Sequence, residues 1–361
     1  MTFHIDFKKA FDSITRLKLW RILRHYGIPN TFVNIMEELY NECTSCVIDG
    51  SRTSEWFPVE TGVKQGCVLS GFLFNIVIDW IMRSTNNRKR GIRWNFTTTL
   101  EDLDYADDIV LLSSRHQDLQ DKTTRLSSIA QSVGLHVNTG KTNVMRLNTK
   151  QHHQVNIDGN EIKDVNTFVY LGAVLDNEGG SEGDIKRRLT QARTTYAMLR
   201  PVWRSTSFSR RTKINIFNSN VMSVLLYCSE MWRITAKDED KLDVFQRTCL
   251  RRILKIYWPT TISNEELYKV TKTTSVSNMA RTRRWRWIGH VLRRDKDSNM
   301  RVALTWAPEG KRRQGRPKNT WRRTVENERK KLGWSSWRET EIQASDRKRW
   351  KNILFSLKRQ L

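Results

Sequence analysis

Two adjacent aspartates, Asp107 and Asp108, stand between the short runs 103–105 and 109–112, and no other feature limits the fold of this chain as sharply. Apolar runs of that length around Ala106-Asp107-Asp108 read as two antiparallel strands joined by a tight turn. The turn drives both carboxylates into one small volume, where like charges are costly unless a cation shares them. An exposed polar turn is the plainer reading of such a pair. Asp6 weighs against it, because it closes a short strand of its own, Phe3-His4-Ile5-Asp6-Phe7. Two strands that each bring a carboxylate to one end of a sheet can hold Mg²⁺, a hard ion satisfied by oxygen. A pair of such ions, roughly 3.5–4 Å apart, lowers the barrier to in-line attack on phosphorus.

The first 180 residues alternate strand-like with helical runs, which places them in the α+β or α/β class. Helices are expected over 14–26, stopped by Gly27-Ile28-Pro29, and over 31–41, 69–83 and 118–133. Strands are expected over 46–48 and 55–61, paired around Asp49-Gly50, and over 142–147 and 167–175. From Asp184 to about Lys255 the pattern is helical, and Asn177-Glu178-Gly179-Gly180 reads as the linker before it. This divides the chain into 1–180, 181–260 and 261–361.

Charge sharpens that division. The chain carries a net +25, yet residues 1–180 hold 20 Lys/Arg against 21 Asp/Glu, and residues 281–361 hold 25 against 8. A neutral body with a steeply basic remainder points to a polyanionic partner, and aromatics interleaved with the charge make that partner nucleic acid. The sequence shows no continuous apolar run of the roughly 18–20 residues that a membrane span needs, so no membrane partner is expected. Five cysteines do not make a disulfide framework, which suits a reducing compartment. Cys43 and Cys46 have metal-like spacing, but no second pair follows, and two cysteines beside a strand is the plainer reading.

The order of the motifs resembles the reverse transcriptases of non-LTR (LINE-like) retrotransposons, of an RTE-like kind. Phe3-His4-Ile5-Asp6-Phe7-Lys8-Lys9-Ala10-Phe11-Asp12-Ser13 resembles their first palm motif. Gly62-Val63-Lys64-Gln65-Gly66-Cys67-Val68-Leu69-Ser70 resembles the second, and Tyr105-Ala106-Asp107-Asp108 the third. Gly134-Leu135-His136-Val137-Asn138-Thr139-Gly140-Lys141-Thr142 is similar to the fourth, and Phe168-Val169-Tyr170-Leu171-Gly172 to the fifth. The likeness runs on through Arg-Trp-Ile-Gly-His at 286–290 and Gly-Arg-Pro-Lys at 315–318.

The resemblance implies a right-hand polymerase palm, an antiparallel sheet with packed helices, followed by an all-helical thumb and a basic helical C-terminal region. It implies an RNA-directed DNA polymerase that adds dNTPs to a primer 3′-hydroxyl on an RNA template, in target-primed reverse transcription. Asp6 and Asp107 would ligate two Mg²⁺ ions, with Mn²⁺ as a substitute, helped by the carbonyl of Phe7 and with Asp108 shaping the site. Phe11 would be the steric gate against a 2′-hydroxyl, Gln65 and Gly66 would face nucleotide and template, and Lys141 would serve the leaving pyrophosphate. Tyr170, Leu171 and Gly172 would support the primer. Arg187 and Arg188, in a basic set with Lys186, Arg193, Arg210, Arg211 and Lys213, would follow the duplex. Arg312, Arg313, Arg316 and Lys318, around a Gly-Arg-Pro core, would touch nucleic acid. The tryptophans of the tail read more readily as core than as stacking platforms.

Gly71 departs from the proline common in the family and would loosen the helix start. The fingers motifs do not precede Asp6, so fingers and an endonuclease domain are expected upstream on a longer polyprotein. A truncated remnant that only binds RNA or DNA through its basic half is the alternative. A nuclear location, with a cytoplasmic ribonucleoprotein stage, goes with either.

Overall fold

The computed structural model describes residues 1–86, 88–147, 153–306 and 320–360, without the side chains of 357–360. It contains two compact units, Met1–Leu171 and Gly172–Leu361.

The first unit opens with β1 (Thr2–Ile5), the one-turn α1 (Ala10–Ser13), α2 (Arg16–His25) and α3 (Asn30–Tyr40). The break between α2 and α3 falls at Gly27-Ile28-Pro29, where Gly27 takes a positive φ of 79°. Four two-residue strands follow, β2 (Thr44–Ser45), β3 (Ile48–Asp49), β4 (Arg52–Thr53) and β5 (Phe57–Pro58). They form nested ladders, β3 with β4 inside β2 with β5. The single hairpin expected from 46–48 and 55–61 is therefore corrected: Cys46 lies between strands, because tight pairing around Gly50-Ser51 uses up Ile48 to Thr53.

Next come α4 (Val68–Thr85), β6 (Ile92–Arg93), β7 (Thr99–Leu100), β8 (Asp102–Tyr105), β9 (Asp108–Leu112) and α5 (His116–Ser132). The unit closes with β10 (Asn143–Met145), β11 (Asn156–Ile157), β12 (Asn160–Glu161), β13 (Lys163–Val165) and β14 (Thr167–Tyr170). α4 runs unbroken through Gly71. At 18 residues and a mean hydropathy of 1.2 it matches a membrane span by length and composition, although its sequence is not a continuous apolar run. Its Leu73, Phe74, Val77, Ile78 and Ile81 are buried in the core of this unit, which is what a central core helix requires.

The central sheet has the order β13-β10-β1-β9-β8, antiparallel except between β10 and β13. Strand residues alternate between faces. Phe3, Ile5, Ile109, Leu111 and Val144 join α4 and α5 in the main core. Val110, Leu112, Met145 and Phe168 form a smaller cluster on the opposite face. β9 is buried from Ile109 to Leu112, so it reads as a continuous apolar run rather than an alternating one.

The second unit begins with β15 (Ala173–Asp176). The strand expected over 167–175 is thus interrupted, because Leu171 and Gly172 both take positive φ, 47° and 78°. Helices follow: α6 (Glu182–Met198), α7 (Arg200–Arg204), α8 (Arg210–Ile216), a π-turn at Phe217–Val221, α9 (Met222–Leu225) and a 3₁₀ turn at Ser229–Met231. Then come α10 (Ala236–Leu254), α11 (Asn264–Thr271), α12 (Val276–Leu292), α13 (Asn299–Thr305), α14 (Trp321–Lys331), α15 (Trp337–Ser345) and α16 (Arg347–Gln360). α10 starts at a capping box in which Thr235 and Asp238 satisfy each other's backbone N–H groups. The segments expected as 181–260 and 261–361 share this unit; one apolar cluster runs from Ile185 to Ala280, across the expected boundary, and another from Trp285 to Leu354.

Candidate active site

The geometry of the carboxylates follows from register. β1 pairs with β9 so that His4 faces Val110 and Ile5 faces Ile109, which carries Asp6 and Asp108 to adjacent positions at one end of the sheet. β8 and β9 pair through Tyr105 and Asp108, leaving Ala106-Asp107 as the two-residue turn. Ala106 adopts a φ of 54°, a left-handed conformation that costs a non-glycine residue about 1–3 kcal/mol. The turn holds Asp107 exposed at its tip and Asp108 half-buried beside Asp6.

Crowding shows in the electrostatics. The Asp108 carboxyl is pushed above the usual carboxylate range, first by burial and then by the charges of Asp107 and Asp6, while His4 pulls it back. The His4 imidazole is pushed below its ordinary value by burial, against the attraction of Asp108 and Asp6. His4 Nε2 lies 3.8 Å from Asp108 Oδ1.

Asp6 is fixed by the turn that resembles the fourth motif. Its backbone N–H donates to Thr142 Oγ1 at 3.3 Å, and its carbonyl accepts from the Asn138 N–H at 2.7 Å. Lys141 Nζ stands 3.9 Å from Asp6 Oδ2, an oxygen buried without a hydrogen-bond partner. Thr142 is fully buried, so its hydroxyl is a fixed acceptor.

Among the described residues no three His, Cys, Asp or Glu side chains gather as a ready-made ion cage. A Mg²⁺ site built with substrate needs no such cage, since this ion keeps water and phosphate oxygens and takes one or two carboxylates from protein. The neighbouring carboxylates and the unsatisfied Asp6 Oδ2 fit that donor set. A cleft of about 800 Å³ beside Phe7 is lined by Lys8, Lys9 and Lys141, with His136, Asn138 and one carboxylate, Asp158, so its lining is basic on balance.

Phe11 is half-buried, with its ring stacked 4.4 Å from that of Phe74 at 13°. Gln65 and Gly66 are exposed, and Gly66 has a φ of 87° with nothing within 4 Å of where a Cβ would stand. The side of Gly66 where a Cβ would stand is therefore open space. Tyr170 meets the edge of His4 at 6.3 Å. Its hydroxyl is made less acidic by burial and by Asp108, Asp104 and Asp102. Leu171 ends the first unit and Gly172 opens the second.

The basic set needs correction. Arg188 is buried, stacked 4.4 Å over the Tyr227 ring and 3.8 Å from Asp184, and it donates to the Gly172 carbonyl. It is a structural cation rather than a duplex contact. Lys213 is buried too, donating to the carbonyls of Trp203 at 2.9 Å and Ser205 at 2.6 Å. Arg187 is half-buried and reaches Gly172 O at 3.5 Å. Lys186, Arg193, Arg210 and Arg211 are exposed. Arg312, Arg313, Arg316 and Lys318 lie outside the described residues. Trp285, Trp334 and Trp350 are buried together, with Trp334 and Trp350 stacked at 5.3 Å, so they are core. Sequence reading missed His4, Asn138 and Thr142 as neighbours of Asp6. For His4 the signal was present, since a residue two before Asp6 on one strand shares its face.

Residues 1–175 match the family model described as reverse transcriptase (RNA-dependent DNA polymerase), and this segment is a reverse transcriptase domain with the polymerase palm. A second model, a domain of unknown function, matches residues 195–227. The relatives are Pol polyproteins of retrotransposable elements and a transposon-derived protein. The chain is 25% identical over 263 residues to the Pol polyprotein of the type-1 retrotransposable element R2 of Popillia japonica, covering 70% of this chain and 42% of the relative. It is 37% identical over 142 residues to the Pol polyprotein of the type-2 element R2DM of Drosophila melanogaster, covering 38% and 13%. It is 26% identical over 239 residues to a putative uncharacterized transposon-derived protein of Caenorhabditis elegans, covering 63% and 85%. The reverse transcriptase segment resembles those of non-LTR retrotransposon Pol polyproteins, and the chain spans less than half of the Popillia polyprotein. Among solved structures, telomerase from Candida albicans with a fragment of telomeric RNA aligns over 75% of this chain and 49% of that one, at 14% identity and a TM-score of 0.38.

Proposed function

We propose that this chain supplies the palm of an RNA-directed DNA polymerase that extends a primer 3′-hydroxyl with dNTPs on an RNA template, in target-primed reverse transcription. One observation carries the reading: the β1–β9 register sets Asp6 beside Asp108 at the end of the sheet where the turn holds Asp107, with Asp6 Oδ2 unsatisfied. Asp6, Asp107 and the Phe7 carbonyl would hold two Mg²⁺ ions, or Mn²⁺ in their place, and Asp108 would shape the site. When bound, the ions neutralise charge on the attacking and leaving oxygens.

The chain's residues do the rest. The 3′-hydroxyl gives up its proton to solvent, and its oxygen forms a bond to the α-phosphorus as the bond to the bridging oxygen of pyrophosphate breaks. Lys8, Lys9 and Lys141 line the cleft that takes the phosphates, and the exposed Lys141 gives a proton to the leaving group. Phe11, braced by Phe74, sits under the sugar and excludes a 2′-hydroxyl. Gln65 and Gly66 border nucleotide and template. The exposed cations of α6 and α8 follow the duplex as a thumb would. RNA template, DNA primer and dNTP are the partners, and the fingers and an endonuclease domain would come from the longer polyprotein.

Primer extension on poly(rA)/oligo(dT) tests this, with the present chain and with one extended upstream. Asp107→Ala is expected to lower incorporation at least about 1,000-fold, which is about 4 kcal/mol of barrier. Absence of incorporation by the extended chain would reject polymerase activity and leave a nucleic-acid-binding remnant.

A further inference from the structure

His4 is a polar residue at the centre of the sheet, between the fully buried Phe3 and Ile5 of the same strand. Its ring is clasped by aromatics, 5.3 Å from Phe168 and 6.3 Å from Tyr170, the latter edge-on at 83°. Its side chain is 14% exposed, and Nε2 is buried with no hydrogen-bond partner, 3.8 Å from Asp108 Oδ1. Leaving a buried polar nitrogen unpaired costs about 1–3 kcal/mol. An apolar side chain would fill this position without that cost, so the imidazole serves something the strand itself does not need. On the same face, two residues along, stands Asp6, and on the neighbouring strand stands Asp108, paired with Tyr105.

We propose that His4 is a positioning residue for the carboxylate centre: its Nε2–H closes onto Asp108 Oδ1 and fixes that carboxylate while Asp6 and Asp107 take cations. Phe168 and Tyr170 fix the ring, so His4 ties Asp108 to β14, the strand that leads into the Leu171-Gly172 turn. Without the imidazole, Asp108 is free to swing toward Asp6 and compete for the same ion. The inference rests on the reading of Asp6 and Asp107 as ion-holding residues.

The test is Mn²⁺ binding to the full chain, followed by electron paramagnetic resonance, for the wild type, His4→Gln, His4→Leu and Asp107→Ala, with circular dichroism melting of each. Gln keeps an N–H donor near the position of Nε2, whereas Leu keeps the volume alone. The expected result is wild-type-like affinity for His4→Gln and a loss of roughly 10–100-fold for His4→Leu, the range found when a partner of a metal ligand is removed. Equal affinity and spectrum for His4→Leu and the wild type would overturn the role of His4 and leave the ion site standing. Equal weakening by Gln and Leu would also overturn it, since packing alone would then matter. Wild-type binding no tighter than that of Asp107→Ala would overturn the ion site itself, and the role of His4 with it.

Discussion

At Asp108 stability and chemistry pull in opposite directions. Its carboxyl is raised from 3.8 by burial and by the neighbouring Asp107 and Asp6. A raised folded pKa means that the native state holds the proton more tightly than the unfolded chain. The stabilisation is therefore full below 3.8 and is lost as pH rises through the folded value, so ionised Asp108 works against folding at pH 7. Asp108→Asn removes the like charge at nearly constant shape. Its urea midpoint is expected to lie above that of the wild type at pH 7, with the gain fading as pH falls through the raised folded value and gone below about 3.8. Identical midpoints at pH 7 would show that the crowding carries no cost. Polymerase activity is expected to fall in the same variant, and Ala106, held at a φ of 54° in the adjoining turn, is a second sign of a site strained for use.

At the scale of elements, the motifs are as much packing devices as catalytic ones. Gly62 opens the second motif and Gly134 the fourth, and both have positive φ, 78° and 91°. A Cβ on Gly62 would stand 2.5 Å from the Asp12 Cα, and one on Gly134 would stand 2.3 Å from the Ser13 carbonyl oxygen. Both loops thus close on the end of α1, which begins four residues after Asp6. Gly289, in the Arg-Trp-Ile-Gly-His stretch of α12, has a different reason: a Cβ there would meet the Trp350 indole at 2.1 Å. Gly289→Ala is expected to destabilise the chain by about 1–3 kcal/mol through overpacking, read as a lower denaturation midpoint. Combined with a smaller residue at Trp350, the loss should be less than the sum of the two single changes; strict additivity would place the strain elsewhere.

The same elements show what the sequence could tell. The β8–β9 hairpin, α4 and α5 were legible because apolar runs and helical periodicity report burial directly, and burial is what made them fold. The break at Leu171-Gly172 was not, since a leucine in left-handed conformation gives no local signal. Arg188 was misread for a related reason. On α6 it looks like one more surface cation, and only Tyr227, distant in sequence, reveals the pocket that buries it. The neighbours of Asp6 were readable in one case alone: strand alternation gives His4, whereas Thr142 and Asn138 arrive through a fold-dependent turn.

At the scale of the molecule, charge is divided as sharply as structure. Residues 1–180 are close to neutral and residues 281–361 carry 25 Lys/Arg against 8 Asp/Glu, so a polyanion meets an attractive field mainly from the C-terminal half. Within the second unit, however, formal charge overstates the usable surface, because Arg188 and Lys213 are consumed by buried hydrogen bonds while Lys186, Arg193, Arg210 and Arg211 remain exposed. The two groups should therefore separate in one experiment. Changing the four exposed residues to Gln is expected to leave the melting temperature nearly unchanged and to flatten the plot of log binding constant against log salt for a duplex. The slope should fall by about 0.9 for each phosphate that the variant no longer neutralises. Arg188→Gln should do the reverse, lowering the melting temperature by leaving Asp184 and the Gly172 carbonyl without their buried partner, with the salt slope of the folded fraction unchanged. A salt slope that falls for Arg188→Gln and stays constant for the fourfold variant would mean that nucleic acid binds elsewhere on this chain.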